Sequence, residues 1–130
     1  MPQLRIIHLG LCISAALIAL LLGALRPFGP GAGVDLPTLV QWTLLGFAGM
    51  TILTGAYLRT TIAVMEGIDE EAWVNANQAK CVMVWGVVDG GVCLCAIALF
   101  LGATPWVAGG LAAGGLGFLA SQSPGTLAGH

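Results

Sequence analysis

The chain has 130 residues, of which 58% are hydrophobic and 8% charged, and its formal net charge is −2 at pH 7. About a quarter of the residues of a soluble domain are charged, so this composition, with a mean hydropathy of +0.96, excludes an ordinary soluble domain. The 4 basic residues are spread along the chain and form no patch for nucleic acid. We therefore expect an integral membrane protein whose surroundings are lipid.

Four apolar runs are close to the length needed to cross roughly 30 Å of hydrocarbon. They predict an all-α integral membrane four-helix bundle, with helices at about 6–25, 36–65, 70–102 and 105–121. The whole chain (1–130) forms one domain, and its second and third helices form a long central hairpin (36–102). The first run, about 20 residues long, exceeds the roughly 7–15 residues of a signal peptide core, so we interpret it as a retained helix.

The first two helices carry few polar side chains. His8 lies near the start of helix 1, where we expect a half-exposed side chain at the membrane interface, about 12 Å of rise or more from Asp89. Asp35 can cap helix 2. Beyond the membrane, helix 2 can continue through Thr60, Thr61 and Val64.

Helix 3 has a polar start and a single acid inside its apolar run. Asp69 is a candidate N-cap. Asp89 then lies close to the membrane midplane, where ionisable residues face protein rather than lipid. Gly86 and Gly90 have the small-x-x-x-small spacing that admits a neighbouring helix, and Cys93 lies one turn further on the same face as Asp89.

Asp89 has two interpretations. It is either a polar group that fixes helix packing or a reversible proton or cation site, because intramembrane acids mark functional sites. No Arg or Lys lies at its depth, so the expected partners are hydroxyl groups, backbone groups or water, and helix 2 offers two hydroxyls. The ion-binding candidates are thus Asp89, Thr51 and Thr54.

Helix 4 is rich in glycine, and Gly110 and Gly114 repeat the small-x-x-x-small spacing. The helix-packing candidates are therefore Gly86, Gly90, Gly110 and Gly114. The 4 cysteines show neither a C-x-x-C nor a zinc-type spacing, so we expect small packing residues. No metal, no cofactor and no catalytic residue is predicted.

Basic residues set the expected orientation. With the N-terminus in the cytoplasm, Arg5, Arg59 and Lys80 fall inside and only Arg26 outside, in agreement with the positive-inside rule. Both termini are then cytoplasmic. The lack of a transit-like leader favours a bacterial inner membrane.

The central hairpin resembles the rotary ATP synthase c subunit, the proteolipid. The resemblance lies in the polar turn, the midplane Asp89 and the apolar run VCLCAIALFL at 92–101. It implies that Asp89 carries the ion, with Thr51 or Thr54 in support. The whole chain also resembles small c-like four-helix bacterial membrane proteins of unestablished function, a resemblance that implies a shape rather than an activity.

The sequence predicts a non-enzymatic membrane protein. The first hypothesis is a structural or accessory protein that packs through glycine-rich helix faces, either in a homo-oligomer or against other membrane subunits. The alternative is a proteolipid-like subunit that translocates a proton or cation with Asp89. The expected partners are membrane lipid and these protein subunits, with no nucleic acid.

Overall fold

The structure is a computed structural model that describes residues 2–28, 37–62, 67 and 69–129. In these ranges the chain forms α1 (Pro2–Leu25), a 3₁₀ turn (Arg26–Phe28), α2 (Thr38–Arg59), α3 (Glu70–Phe100), α4 (Pro105–Ser121) and α5 (Pro124–Leu127), and no strand. Three segments are long and apolar enough to cross a membrane: Pro2–Phe28, Thr38–Arg59 and Glu70–Phe100. The predicted all-helical, membrane-type fold is confirmed to that extent.

Several predicted helix bounds agree with the structure. The bounds of α4 are those predicted, and α3 begins after Asp69, whose carboxylate accepts a hydrogen bond of 2.7 Å from the Ala72 N–H. This bond satisfies one of the free N–H groups at the helix start. Helix α1 begins at Pro2, four residues earlier than expected, because proline is well tolerated in a first helical turn.

Helix α2 ends at Arg59, so its predicted continuation to residue 65 is wrong. The Thr60 and Thr61 hydroxyls donate to the Tyr57 and Leu58 carbonyls at 2.6 and 2.7 Å. Their N–H groups bond the same two carbonyls, three residues back. Such local bonds replace the α-helical pattern. Val64 and the proposed cap Asp35 lie outside the described residues.

Helix α3 is the centre of the bundle and contacts α1, α2 and α4. Its buried residues recur at alternating spacings of three and four, the period of a helix that packs along a seam. These α3 residues include Asn77, Cys81, Val84, Val88, Gly91, Cys95 and Ala98. The buried residues of α2 are Gln41, Leu45, Ala48 and Gly55.

Three glycines let the helices of the bundle touch. A Cβ at Gly55 would overlap Val88, and a Cβ at Gly91 would lie 2.6 Å from Ile52 Cγ1 and 3.1 Å from the Ala48 carbonyl oxygen. A Cβ at Gly115 would lie 2.7 Å from Val92 Cγ2. Contacts this short are far below carbon–carbon van der Waals separation, so α3 packs against α2 and α4 only because these positions lack side chains.

Two polar contacts hold the turn between α3 and α4. The Arg26 guanidinium donates to the Ala103 carbonyl at 2.7 Å, and the Gln41 amide donates to the Thr104 hydroxyl at 2.7 Å. Gly102 adopts a φ of 107°, which a residue with a side chain rarely adopts. The turn is therefore tied to the end of α1 and to the start of α2.

Gly115→Leu should lower the free energy of unfolding by about 1–3 kcal/mol, the usual cost of overfilling a packed core. Gly117→Leu, in the same helix, is the matched control because a Cβ there meets nothing within 4 Å. Unfolding of both variants in mixed detergent with rising dodecyl sulfate measures the difference. An equal loss in the two variants would contradict the packing described here.

Candidate functional site

Asp89 is half-buried within α3 and is the one charged residue of the long apolar run that follows Lys80. Its Oδ1 accepts a hydrogen bond from the Cys93 thiol, with an S···O distance of 3.8 Å. The predicted placement of Cys93 on the face of Asp89 is confirmed. A thiol is a weak donor, so this contact leaves most of the hydrogen-bonding capacity of the carboxyl unused.

The hydroxyls of Thr51 and Thr54 are not hydrogen-bonded to Asp89. Each donates to a carbonyl of its own helix at 2.8 Å, Thr51 to Phe47 and Thr54 to Met50. Such bonds to the residue four back are a common way for a helical threonine to satisfy its hydroxyl. The structure does not join the three predicted ion-binding residues, and an ion-binding role for them stays a prediction.

Helix α1 brings a cysteine to the level of Asp89. Packing of His8 against Trp85 and of Gly23 against Leu99 shows that α1 and α3 run parallel with a nearly constant offset. This offset places Cys12 at the level of Asp89. The sequence could not show this neighbour, because hydropathy does not reveal which helices pair.

His8 is buried, with 8% of its surface exposed, so the expected half-exposed position is wrong. Its Nε2 lies 2.7 Å from the Leu119 carbonyl oxygen, and its ring centroid lies 4.9 Å from that of Trp85. Because a carbonyl only accepts, Nε2 must carry the hydrogen. Trp85 precedes Asp89 by one helical turn, so His8 is about 6 Å of rise from the acid, half the expected separation.

Trp85 and Gln122 continue the buried polar contacts toward α4. The Trp85 indole N–H donates to the Gln122 carbonyl at 2.6 Å, and the Gln122 amide donates to the Ser121 hydroxyl at 2.8 Å. Gln122 Oε1 is buried and has no hydrogen-bond donor among the described residues. We call the set formed by His8, Cys12, Trp85, Asp89, Cys93 and Gln122 the polar cluster.

The polar cluster does not form a nucleophile–base pair. Cys12 Sγ lies 3.6 Å from His8 Nε2, but that nitrogen already donates to a carbonyl and cannot take a proton from the thiol. No group of three His, Cys, Asp or Glu side chains in the described ranges is placed to hold a metal ion. The cluster can hold a proton at Asp89 and can hydrogen-bond a further group there.

The predicted packing glycines do not contact other helices of the chain. Gly86, Gly90, Gly110 and Gly114 are exposed, and a Cβ at any of them meets nothing within 4 Å. Among the described residues, no other helix lies against Gly86 and Gly90 beside Asp89, and the packing role of the four glycines stays a prediction. Gly91 and Gly115, the next residue in each case, make the internal contacts.

Comparison with protein-family models, with curated proteins and with solved structures found no match to this chain.

Trp85→Phe should lower the free energy of unfolding by about 1–3 kcal/mol, because it leaves the buried Gln122 carbonyl without its donor. Trp106→Phe is the matched control, since Trp106 is 87% exposed. Thermal unfolding in detergent, followed by circular dichroism, compares the two variants. If Trp85→Phe unfolded at the same temperature as Trp106→Phe and the wild type, the hydrogen bond would not stabilise the bundle.

Proposed function

We propose that this chain is a small integral membrane protein of structural or accessory type, which assembles through glycine-rich helix faces. The observation that carries the proposal is the outward position of Gly86, Gly90, Gly110 and Gly114, with no neighbour in the chain. Glycine in a helix interior costs about 1 kcal/mol relative to alanine. In lipid, small residues are favoured where a second helix approaches closely, so these positions suit a homo-oligomer or a larger membrane complex.

The proposal includes α4 as a fourth membrane crossing. Its 17 residues span about 26 Å, near the lower limit for a transmembrane helix. Ala108 shares a buried cluster with Ala98, and Gly115 lies against Val92, which supports a path of α4 antiparallel to α3. Both termini then lie on one side, which we place in the cytoplasm of a bacterial cell, with the bundle in the inner membrane.

The proposed role is non-enzymatic. The only close cysteine–histidine contact in the described part of the chain, Cys12 with His8, has its imidazole nitrogen engaged with the Leu119 carbonyl. Nucleophilic catalysis needs a base that can accept the proton of the nucleophile. The contact therefore supports a packing role for these two side chains.

A proton- or cation-translocating subunit is the second candidate, and the environment of Asp89 favours it. The carboxyl is half-buried within α3, bonded only weakly to Cys93 and at the level of Cys12 on α1. A carboxyl that keeps free hydrogen-bonding capacity inside a membrane span can bind and release an ion. The resemblance of the central hairpin to the proteolipid points to the same residue.

The purified wild-type protein should assemble, because its outward glycines favour close contact with another helix. Light scattering in a mild detergent should give a protein mass that is a multiple of 13.2 kDa, or a second membrane protein should co-purify. A lone monomer with no co-purifying protein would contradict the accessory role.

Asp89→Asn separates the two candidates. The amide keeps the shape and the hydrogen bonding of the side chain but cannot exchange a proton. A translocating subunit should lose proton or cation flux into liposomes and should lose carbodiimide labelling at residue 89. Wild-type flux that persists in Asp89→Asn, with the helical circular dichroism unchanged, would eliminate translocation by Asp89 and leave the accessory role.

A further inference from the structure

The outward side of α3 combines two glycines with Asp89, the one acid between Cys81 and Phe100. Gly86 and Gly90 are exposed there, and Asp89 and Cys93 are partly exposed beside them. Met83 and Ile97, 54% and 43% exposed, extend this side along the helix. We call these six residues the α3 outer face.

Asp89 makes this face unlike an ordinary lipid-facing surface. A carboxyl directed at hydrocarbon is strongly unfavourable, and such residues normally face protein or a watery cavity. In the described structure, Asp89 accepts only from a thiol at 3.8 Å, and Thr51 and Thr54 bond elsewhere. The free hydrogen-bonding capacity of Asp89 therefore calls for a group from outside the chain.

The glycines leave space for a second helix to approach Asp89. Gly86 lies on the same side of the helix as Asp89, three residues back, and Gly90 is one turn beyond Gly86. Because neither has a neighbour within 4 Å of its Cβ position, a second helix backbone can come close along this line. The small-x-x-x-small spacing is typical of such crossings in membranes.

We propose that a second copy of this chain covers the α3 outer face, with the Asp89 side chains of the two copies hydrogen-bonded across a twofold axis. In its protonated form a carboxyl has one donor and an acceptor, so two Asp89 side chains satisfy each other. A twofold interface uses the same patch on both subunits. The inference rests on the proposed assembly function and names the partner and the face.

In a pair of copies, the positions of the basic residues favour a contact between the two Asp89 carboxyls over an ion pair between Asp89 and a basic residue of the other copy. Arg5, Arg26 and Arg59 lie near helix ends, and Lys80 lies on α3 about 14 Å of rise before Asp89. No arrangement of two copies with their spans aligned brings one of these cations to the acid. A carboxyl–carboxyl contact is the self-complementary solution that remains.

The variant that tests this interface is Gly86→Leu combined with Gly90→Leu. A Cβ at either position has no described atom within 4 Å, and both glycines are exposed, so the fold should persist while the partner helix is pushed away. The matched control is Gly10→Leu combined with Gly46→Leu, at two exposed glycines of α1 and α2 that also have no neighbour. Circular dichroism and thermal unfolding check that both variants fold.

The wild type and the control should be dimers by light scattering in mild detergent, and Gly86→Leu/Gly90→Leu should weaken dimerisation at least tenfold. Asp89→Asn should remain dimeric, because an amide also has donors and an acceptor, whereas Asp89→Leu should not. In membranes, copper-catalysed oxidation should give a disulfide-linked dimer that Cys93→Ala abolishes and Cys12→Ala does not. Cys81 and Cys95 are buried and cannot reach a second copy.

Three results would overturn the inference and locate the error. An oligomer that survives Gly86→Leu/Gly90→Leu but dissociates in Gly110→Leu/Gly114→Leu would place the contact on α4 and leave the assembly function standing. A wild-type monomer that co-purifies with a different membrane protein would replace the second copy by that partner. A wild-type monomer with no partner would overturn both the interface and the assembly function.

Discussion

The bundle depends on the close approach of α3 to its neighbours at three glycines. Inside a bilayer, lipid chains are as apolar as leucine, so helices associate through packing and hydrogen bonds rather than through a hydrophobic driving force. Gly55, Gly91 and Gly115 supply that packing, since a Cβ at each would collide with a side chain of the facing helix. The positions of α2 and α4 on α3 follow from these three contacts.

Hydrogen bonds between the helices hold the two ends of the bundle, where these three glycines make no contact. The Trp85 indole and the His8 imidazole each bond a carbonyl at the end of α4, while Arg26 and Gln41 hold the opposite turn. With no water in the hydrocarbon, each such group needs a partner within the protein. Asp89 lies between these two tied ends, and among the described residues it accepts only the weak hydrogen bond of the Cys93 thiol.

Much of the fold could be predicted from hydropathy and capping residues. The apolar runs predicted the long helices, and Asp69 predicted the start of α3 because its cap is a local interaction. The partners of His8 could not be predicted, since a carbonyl more than 100 residues away depends on how the helices pair. The early end of α2 depended on whether two threonines bond to water or to their own backbone, a choice that sequence leaves open.

The outward position of the predicted packing glycines depends on helix rotation. Gly90–Gly91 and Gly114–Gly115 are adjacent pairs, and neighbouring residues on a helix point about 100° apart. Either member could face inward, and the choice depends on the rotation of the helix, which the heptad through Val84, Val88 and Cys95 sets for α3. Only one glycine of each pair is needed inside the chain.

The second member of each pair therefore needs its own explanation. Packing within the chain would tolerate a larger residue at Gly90 and at Gly114, where a side chain meets nothing, and a larger residue would favour the helix by about 1 kcal/mol. A pair of adjacent glycines instead leaves a helix without side chains at two consecutive positions. One of them faces into the bundle and the other faces outward. The inward glycine of each pair thus builds the bundle, and the outward glycine leaves the helix surface open at the next residue.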